Sequence, residues 1–364
     1  MDQHTFSEFL CLSRANRDAH LLPTNVLFTL KISTKLTSLR EWHTLHRNQL
    51  SVLPKIYLRL NHVSDEPLYA CTGMNIEKLV LHVFMFTGHG LRHLVYSPIT
   101  DLSIIDASMF VDSSLIHIGQ LPLTSLKLVG AKKITTHGFQ HLASLGLTSL
   151  TLHDMAHLTN AGITCFNRMP LQKLELSRCN SLSDISLSRL VQCPLTDLNL
   201  SDCNFTDACF VCLSQMPLTK LIMSHCNVIS DVALSHLTRC FLTHLELCDS
   251  IFTDAGIAHL AQMPITALKL SGCTDLTDIA LFHIKHFHLT ILHLSGCMFT
   301  DAGIAQLSHM QLMELDLSGC TDLTNVSLSH LMHCPLTTLN LSGCMFTDAG
   351  IANLAHMPLS KLDI

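Results

Sequence analysis

Apolar residues recur along this chain with a period of 23 or 24 residues. Within each period, leucine or isoleucine alternates at the fourth and sixth positions of a nine-residue segment, which predicts a short strand with these side chains inward. A later apolar pair spaced like Ile304 and Leu307 predicts a helix with one buried face. Units of this kind cannot fold alone and are expected to stack into a solenoid. The segment begins at fourteen positions: Leu53, Ile76, Ile99, Leu123, Leu147, Leu171, Leu195, Leu218, Leu242, Ile265, Leu289, Leu312, Leu336 and Leu359.

The segments that join strand to helix also follow a pattern. Threonine precedes aspartate at Thr253, Thr300 and Thr347, and its hydroxyl is a suitable acceptor for the free amides of a helix start. Proline directly before the next nine-residue segment, as at Pro335, ends the helix. We therefore expect a repeat domain over residues 53–364, preceded by a separate segment, residues 1–52.

The strongest copies read L-x-x-L-x-L-x-x-C, as at Leu336, Leu339, Leu341 and Cys344, and continue with C-x-F-T-D or C-x-x-L-T-D into the helix. This pattern resembles the leucine-rich-repeat family, in particular its cysteine-containing subfamily, best known from F-box proteins that act as ubiquitin-ligase substrate receptors. The resemblance implies an α/β fold, a horseshoe or superhelix with a concave parallel β-sheet and convex helices.

Composition narrows the function classes. Hydrophobic residues make up 48% and charged residues 14% of the chain, which excludes a disordered protein. The net charge of −6 provides no basic surface for nucleic acid. No window has the length and hydropathy of a membrane span, and the N-terminus does not have the order of a secretory signal. We expect a cytoplasmic protein.

Cysteine and histidine recur in register with the repeat. Seven cysteines occupy the ninth position, which predicts a buried column of free thiols in a reducing compartment, with no cofactor and no bound metal. Histidines form two columns in the C-terminal half. They are interpreted as polar surface copied by duplication, with a metal site or a pH switch as the alternative. These columns are His236, His259, His283 and His330, and His286, His309, His333 and His356.

The variable strand positions indicate where a partner binds. The third, fifth, seventh and eighth positions of each segment face the exposed sheet or its edge, and the fifth-position column begins with Tyr57 and Val80. Side-chain variety is concentrated between residues 173 and 249, whereas later repeats carry Ser-Gly at the seventh and eighth positions. The predicted partner surface comprises Lys173, Glu175, Arg178, Asp197, Asn199, Asp202, Lys220, Ile222, His225, His244, Glu246 and Asp249.

Residues 1–52 have two interpretations. Segments around 5–17 and 24–50 have the apolar spacing of short helices, which a polar cap on the first repeat would require. The same residues resemble an F-box, with a Leu-Pro opening and a closing tryptophan, and would then bind a Skp-type adaptor; residues 9–12 resemble elongin-type receptor boxes. The adaptor-binding residues implied are Leu22, Pro23, Val26, Leu27, Leu30 and Trp42.

The sequence favours a non-enzymatic scaffold that binds a protein partner on the concave face. No nucleophile elbow, glycine-rich phosphate loop or zinc-protease motif is present. The alternatives are a ubiquitin-ligase substrate receptor and a regulator or inhibitor of a host enzyme. Residues 295–305 and 342–352 are the same eleven residues. Such recent duplication makes the chain similar to effectors that intracellular bacteria deliver into the host cytosol.

Overall fold

A computed structural model of the chain describes residues 25–31, 55–83, 85–226 and 229–364. The chain divides into two compact units, one ending at Leu171 and one beginning at Gln172. Within each unit every strand pairs in parallel with the strand that follows it in the chain. Each unit is thus a stack of strand–turn–helix repeats, and the fold is a leucine-rich-repeat solenoid.

The described residues of the first unit form six strands and three short α-helices. The strands are β1 (Asn25–Lys31), β2 (Lys55–Val63), β3 (Ile76–Val83), β4 (Asp101–Ile105), β5 (Ser125–Val129) and β6 (Ser149–His153). The helices are α1 (Asp112–Ile118), α2 (Thr136–Phe139) and α3 (Asn160–Ile163), with 3₁₀ turns at Glu66–Cys71, His89–Leu94, Gln140–Leu142 and Thr164–Phe166.

In the second unit, described except for residues 227 and 228, there are nine strands of three residues and eight α-helices. The strands are β7 (Lys173–Glu175), β8 (Asp197–Asn199), β9 (Lys220–Ile222), β10 (His244–Glu246), β11 (Ala267–Lys269), β12 (Ile291–His293), β13 (Glu314–Asp316), β14 (Thr338–Asn340) and β15 (Lys361–Asp363). The helices are α4 (Asp184–Ser188), α5 (Cys209–Leu213), α6 (Asp231–Leu237), α7 (Asp254–Leu260), α8 (Asp278–Ile284), α9 (Asp301–Ile304), α10 (Asn325–Leu331) and α11 (Asp348–Ala352), with 3₁₀ turns at Ala305–Leu307 and Asn353–His356.

The interior of the second unit is a set of continuous side-chain rows. Leu174, Leu198 and Leu221 are all fully buried and pair with one another across β7, β8 and β9. Ile304 and Leu307, predicted to share an inward helix face, are also fully buried. Each such side chain removes apolar surface from water, about 1.5–3 kcal/mol for full burial. The predicted interior rows are therefore confirmed.

The N-terminal strand corrects one expectation. Helix was predicted over residues 24–50, yet Asn25–Lys31 is strand β1, paired with β2 from Asn25↔Lys55 to Lys31↔Asn61. Valine, phenylalanine and leucine at 26, 28 and 30 also fit a period of two, and the edge of β2 supplies the backbone partners that an isolated strand lacks. The rest of the predicted helical segment lies outside the described residues.

The first repeat also differs in register. Arg59, and not Tyr57, pairs with Val80, so Arg59 occupies the fifth position of that repeat. The shift is two residues, which preserves the alternation of inward and outward side chains. Irregular pairing at both ends of β2 accompanies it. From Val80 onward, the pairings within each unit follow the predicted fifth-position column.

The helix starts explain how neighbouring repeats are joined. Thr253 accepts a hydrogen bond from the backbone N–H of Ala255, as predicted for a helix N-cap. In addition, its own N–H and Oγ donate to the carboxylate of Asp231, which begins the preceding helix, at 2.7 Å each. The same bridge links Asp254 to Thr277. Threonine caps its own helix, while aspartate fastens the next repeat.

The cysteine column forms a second set of hydrogen bonds between neighbouring repeats, called the thiol ladder below. The thiol of Cys203 donates to the carbonyl of Leu176 at 3.0 Å, and that of Cys297 donates to Leu270 at 3.2 Å. Cys273, Cys320 and Cys344 make the equivalent bond to the repeat before them. Serine replaces cysteine at Ser250, whose buried hydroxyl has no hydrogen-bond partner within the described chain.

Candidate functional site: the exposed sheet and its edge

The predicted partner residues on the strands share one exposed sheet face. Lys173, Asp197, Lys220 and His244 begin strands β7 to β10 at the third position of their repeats and pair in register, as do the four fifth-position residues beside them. All are partly or fully exposed, while the fourth-position leucine between each pair is buried. The fifth-position side chains are Glu175, Asn199, Ile222 and Glu246.

The remaining predicted residues lie at the edge where strands turn towards helices. Arg178, Asp202, His225 and Asp249 all occupy the eighth position, and their φ angles are 58°, 56°, 57° and 53°. This left-handed conformation costs an L-residue about 1–2 kcal/mol, although aspartate tolerates it better than most. These four side chains, called the charged rim below, occupy consecutive repeats.

The following four repeats meet the same backbone requirement with glycine. Gly272, Gly296, Gly319 and Gly343 have φ angles of 73°, 66°, 70° and 75°. The conformation is kept because the eighth-position N–H donates to the seventh-position carbonyl of the next repeat, from Arg178 to Ser201 in the first case and from Gly319 to Ser342 in the last. Glycine removes the strain. The charged rim thus keeps side chains where the fold itself favours none.

Gly272 is the first eighth-position glycine after the charged rim and lies against the Asp249 side chain. A Cβ built on Gly272 would lie 2.1 Å from Oδ1 of Asp249. The Asp249 carboxylate therefore lies over the glycine of the next repeat. At Gly296, one repeat further, a Cβ would meet nothing within 4 Å.

Basic and acidic side chains face each other across neighbouring repeats of this surface. Arg178 Nε lies 3.5 Å from Asp202 Oδ2, and His225 Nδ1 lies 3.2 Å from Asp249 Oδ2. On the sheet, Lys173 Nζ lies 3.9 Å from Asp197 Oδ2. The pairs are exposed, so each contributes little to stability. They instead orient charged groups towards a surface that solvent, or a partner, can reach.

Sequence reasoning missed one neighbour and one signal. Lys269 Nζ lies 3.0 Å from Glu246 Oε1, so the charged surface extends one strand beyond the predicted residues. The signal was the Ser-Gly of later repeats: recurrent glycine at the eighth position indicates a left-handed residue there. Applying the same backbone requirement to Arg178, at the same position of its repeat, would have predicted strain in the charged rim.

The buried thiols contribute no reactive group to this surface. Burial raises the pKa of Cys203, Cys273 and Cys297 to about 12. Burial likewise raises the pKa of Cys320 to about 11. A thiol with such a pKa stays protonated at neutral pH and is a poor nucleophile and a poor metal ligand. None of the fifteen cysteines in the described part of the chain forms a disulfide.

The histidine columns lie partly around a separate cavity. The rings of His309 and His333 stack with centroids 6.3 Å apart, and His286 packs edge-on against Phe282 at 6.0 Å. No cluster of three metal-ligating side chains is found among the residues that the structure describes. The cavity has a volume of about 560 Å³ and is lined by Lys285, His286, Phe287, His288, Leu289, Gln306, His309, Met310 and Gln311.

Comparison with protein families identifies the repeats. The model described as "Leucine Rich repeat" matches residues 191–208, 285–308 and 333–355. Comparison with curated protein sequences finds no matching relative. Within the described ranges, no helix is both long and apolar enough to span a bilayer.

Solved structures show the same fold at low identity. The chain is similar to one from the crystal structure of the Rad7 and Elc1 complex in yeast, with a TM-score of 0.65 and 19% identity, covering 98% of this chain and 96% of that one. An internalin from Listeria monocytogenes aligns with a TM-score of 0.55 and 20% identity, covering 91% and 94%. A chain of the TLR13–ssRNA13 complex aligns at 0.51 and 16%, covering 86% and 56%. These likenesses and the matched repeats support a leucine-rich-repeat protein.

Proposed function

We propose that the protein is a non-enzymatic scaffold that binds a protein partner through the exposed sheet of β7–β10 and the charged rim. The observation that carries this proposal is the strained eighth position. Four consecutive repeats keep Arg178, Asp202, His225 and Asp249 there, while the next four repeats of the same fold use glycine. Asp106 and Asp154 also occupy this position in the first unit, and aspartate and histidine tolerate it better than most residues. The strain is therefore greatest at Arg178, and strain of this kind persists where a side chain has a task.

The chemistry of the surface indicates how the partner is held. Third- and fifth-position side chains of both charges surround Ile222, which is half-buried on the sheet face. A partner that covers this area would exclude water from an apolar centre with a charged border, the usual arrangement of a protein–protein interface. The charged pairs would set orientation and association rate more than affinity.

A variant that replaces all four charged-rim residues with glycine tests the proposal. Glycine adopts the left-handed conformation of every eighth position without strain, so the fold is retained. Arg178→Gly alone should raise the free energy of unfolding by about 0.5–1 kcal/mol. Partner capture from a eukaryotic cell lysate, quantified by mass spectrometry, should fall at least tenfold for the true partner.

Asp106→Gly with Asp154→Gly is the matched control, because both residues occupy the same left-handed position in the first unit. This control should retain the captured partner. If the four-glycine variant captures the same proteins in the same amounts as the wild type, the charged rim has no binding role. A partner that proves to be an enzyme, with its activity changed on binding, would make the protein a regulator of that enzyme.

The likeness to Rad7, crystallised in complex with Elc1, supports a second candidate. In this candidate the chain is a ubiquitin-ligase substrate receptor whose residues 1–52 hold an adaptor. Three of the six implied adaptor-binding residues, Val26, Leu27 and Leu30, lie in β1, so an adaptor would have to bind a strand there and not the helix of an F-box. Leu22, Pro23 and Trp42 lie outside the described residues.

Co-purification with Skp-type and elongin-type adaptors tests the second candidate. Leu22→Ala with Trp42→Ala should abolish adaptor binding while leaving β1 intact, and the four-glycine variant should leave it unchanged. Adaptor binding that survives the first variant would remove the box. We also propose a reducing, cytoplasmic location, because the cysteine column consists of thiols that bond to neighbouring carbonyls and not of disulfides. For a bacterial effector this location would be the host cytosol.

A further inference from the structure

The strand-to-helix edge of the last repeats carries exposed apolar side chains at a fixed interval. Ile251, Met298 and Met345 occupy the tenth position of every second repeat, directly after the cysteine position. They are 56%, 62% and 75% exposed, whereas the phenylalanines that follow the first two, Phe252 and Phe299, are buried. These three side chains, called the methionine rim, contribute nothing visible to the core.

Acidic side chains alternate with the methionine rim. The repeats between its members are one residue longer at this edge and carry exposed Asp275 and Asp322. Neither carboxylate takes part in an ion pair within the described chain. Tenth-position residues of neighbouring repeats are adjacent, since Asn204 Nδ2 donates to the Asn180 carbonyl at 3.2 Å. The tenth positions between the members of the methionine rim are Thr274 and Thr321, and Asp275 and Asp322 follow them directly, so apolar and acidic residues alternate from repeat to repeat along this edge.

This part of the chain carries all of the protein's net negative charge. Residues 250–360 contain eight acidic residues and two lysines, a net charge of −6, which equals that of the whole chain. Lys269 is paired with Glu246 on the sheet, and Lys285 lies over the Phe282 ring at 3.6 Å. Neither lysine belongs to the strand-to-helix edge. The field around the methionine rim therefore favours a basic partner.

The spacing selects the partner's conformation. Parallel strands lie about 4.8 Å apart, so apolar side chains two repeats apart are separated by roughly 9.6 Å. Residues seven apart on an α-helix are separated by about 10.5 Å and lie on one face. In an extended chain, residues on one face recur about every 6.7 Å, which does not match. A helix fits the methionine rim and a strand does not.

We propose that the methionine rim is a docking surface for a basic amphipathic helix of a partner protein. Apolar side chains seven apart would cover Ile251, Met298 and Met345, while lysine or arginine between them would face Asp275 and Asp322. Methionine suits this role because its unbranched side chain adapts to the partner. Glycine at the eighth position of the two methionine repeats, Gly296 and Gly343, leaves the edge open there for close approach. The methionine rim shares no residue with the charged rim, although Ile251 lies two residues after Asp249, so the inference goes beyond the scaffold function.

The test uses designed peptides and the full chain. A fluorescent alanine-based helix with leucine at every seventh position and lysine midway between is titrated against the protein and followed by anisotropy. It should bind at least tenfold more tightly than a peptide with glutamate for lysine or one with scrambled leucines. Affinity should fall at least tenfold in Met298→Gln with Met345→Gln, and at least fivefold in Asp275→Asn with Asp322→Asn.

Met332→Gln is the matched control, because Met332 is an exposed methionine (44%) away from this edge; it should bind like the wild type. Thermal unfolding of all variants checks that the fold is retained. Equal binding of the lysine and scrambled peptides, or full binding by Met298→Gln with Met345→Gln, would overturn the proposal. So would cosedimentation with phosphatidylcholine vesicles that depends on Met298, since the surface would then serve a membrane.

Discussion

Residues 171–249 and residues 250–360 build the same strand, turn and helix, yet they differ at the strand-to-helix edge. The earlier repeats place charged side chains at a left-handed position that costs free energy, and the tenth position is polar at Asn180 and Asn204. The later repeats use glycine at the left-handed position, and every second one has methionine at the tenth, Met298 and Met345. Ser250, where the thiol ladder is interrupted, lies at the junction.

The difference shows that one backbone geometry can be used in two ways. In the later repeats the backbone requirement is met by glycine, and duplication copies the result, as in the identical residues 295–305 and 342–352. In the earlier repeats the same requirement is met with Arg178 and its three equivalents at some loss of stability. Three side-chain types occupy the four consecutive repeats of the charged rim, as expected of the proposed partner surface, whereas copied side chains form a periodic surface.

Replacing glycine at the boundary should have the largest effect. Gly272→Ala combines a left-handed φ with a Cβ 2.1 Å from Oδ1 of Asp249, and should lower the free energy of unfolding by about 2–3 kcal/mol. Gly296→Ala has the φ cost alone and should lose about 1 kcal/mol. Urea unfolding of both variants measures the difference. Equal losses would mean that Asp249 moves aside without cost.

Restoring the thiol ladder at the junction should have a smaller, opposite effect. In Ser250→Cys the sulfur replaces a buried hydroxyl without a partner, and the equivalent acceptor is the carbonyl of Met223. Removing an unsatisfied buried hydroxyl should raise the free energy of unfolding by about 1–2 kcal/mol. Cys273→Ser, the reverse change one repeat later, should lower it by a similar amount. If both substitutions destabilise the protein, the junction has packing of its own.

The pH dependence of one inter-repeat bridge should give the smallest effect. Burial disfavours the charged form of Asp301, but hydrogen bonds from Ser327 and Thr324 outweigh it and lower the pKa of this carboxyl from 3.8. A lowered pKa in the folded state means that the contribution to stability is complete well above pH 3.8 and is lost as the pH falls through the folded value.

Removing one of the Asp301 bonds tests this assignment. Ser327→Ala should reduce the loss of stability between pH 5 and pH 3, measured as the shift of the urea midpoint. Asp278→Asn serves as the comparison. Asp278 lies one repeat before Asp301 and makes the same bridge, to Thr300 of the repeat that follows it, but has no equivalent of Ser327. An unchanged pH profile in Ser327→Ala would show that Thr324 alone sets the pKa of Asp301.

Sequence reasoning captured what the repeat period determines. The rows of Leu174, Leu198 and Leu221, the threonine N-cap at Thr253 and the register of the fifth position from Val80 onward all follow from residues that recur every 23 or 24 positions. Recurrence averages out local ambiguity, because the same environment is sampled many times along the chain. The predicted architecture depends on this property.

The errors fall where recurrence fails. Residues 25–31 carry no repeat signature, and their apolar spacing fits a helix and a strand equally, so only the available edge of β2 decides. Tyr57 was misplaced because β2 lacks the spacing of later strands. The bridge from Asp231 to Thr253 and the strain at Arg178 involve two repeats at once, so a pattern within a single repeat does not contain them. The partner surface and the domain boundary at residue 53 remain predictions.

The thiol ladder makes local opening of the second unit measurable by cysteine labelling. Each sulfhydryl is protected while its repeat stays docked, because alkylation needs a thiolate that the buried site disfavours. Cys344, which is half-exposed, donates to the Leu317 carbonyl of the preceding repeat. Cys320 and Cys297 occupy the same position one and two repeats earlier in the chain. The order in which a small electrophile labels these cysteines would therefore report, repeat by repeat, how far local unfolding extends before the whole unit unfolds.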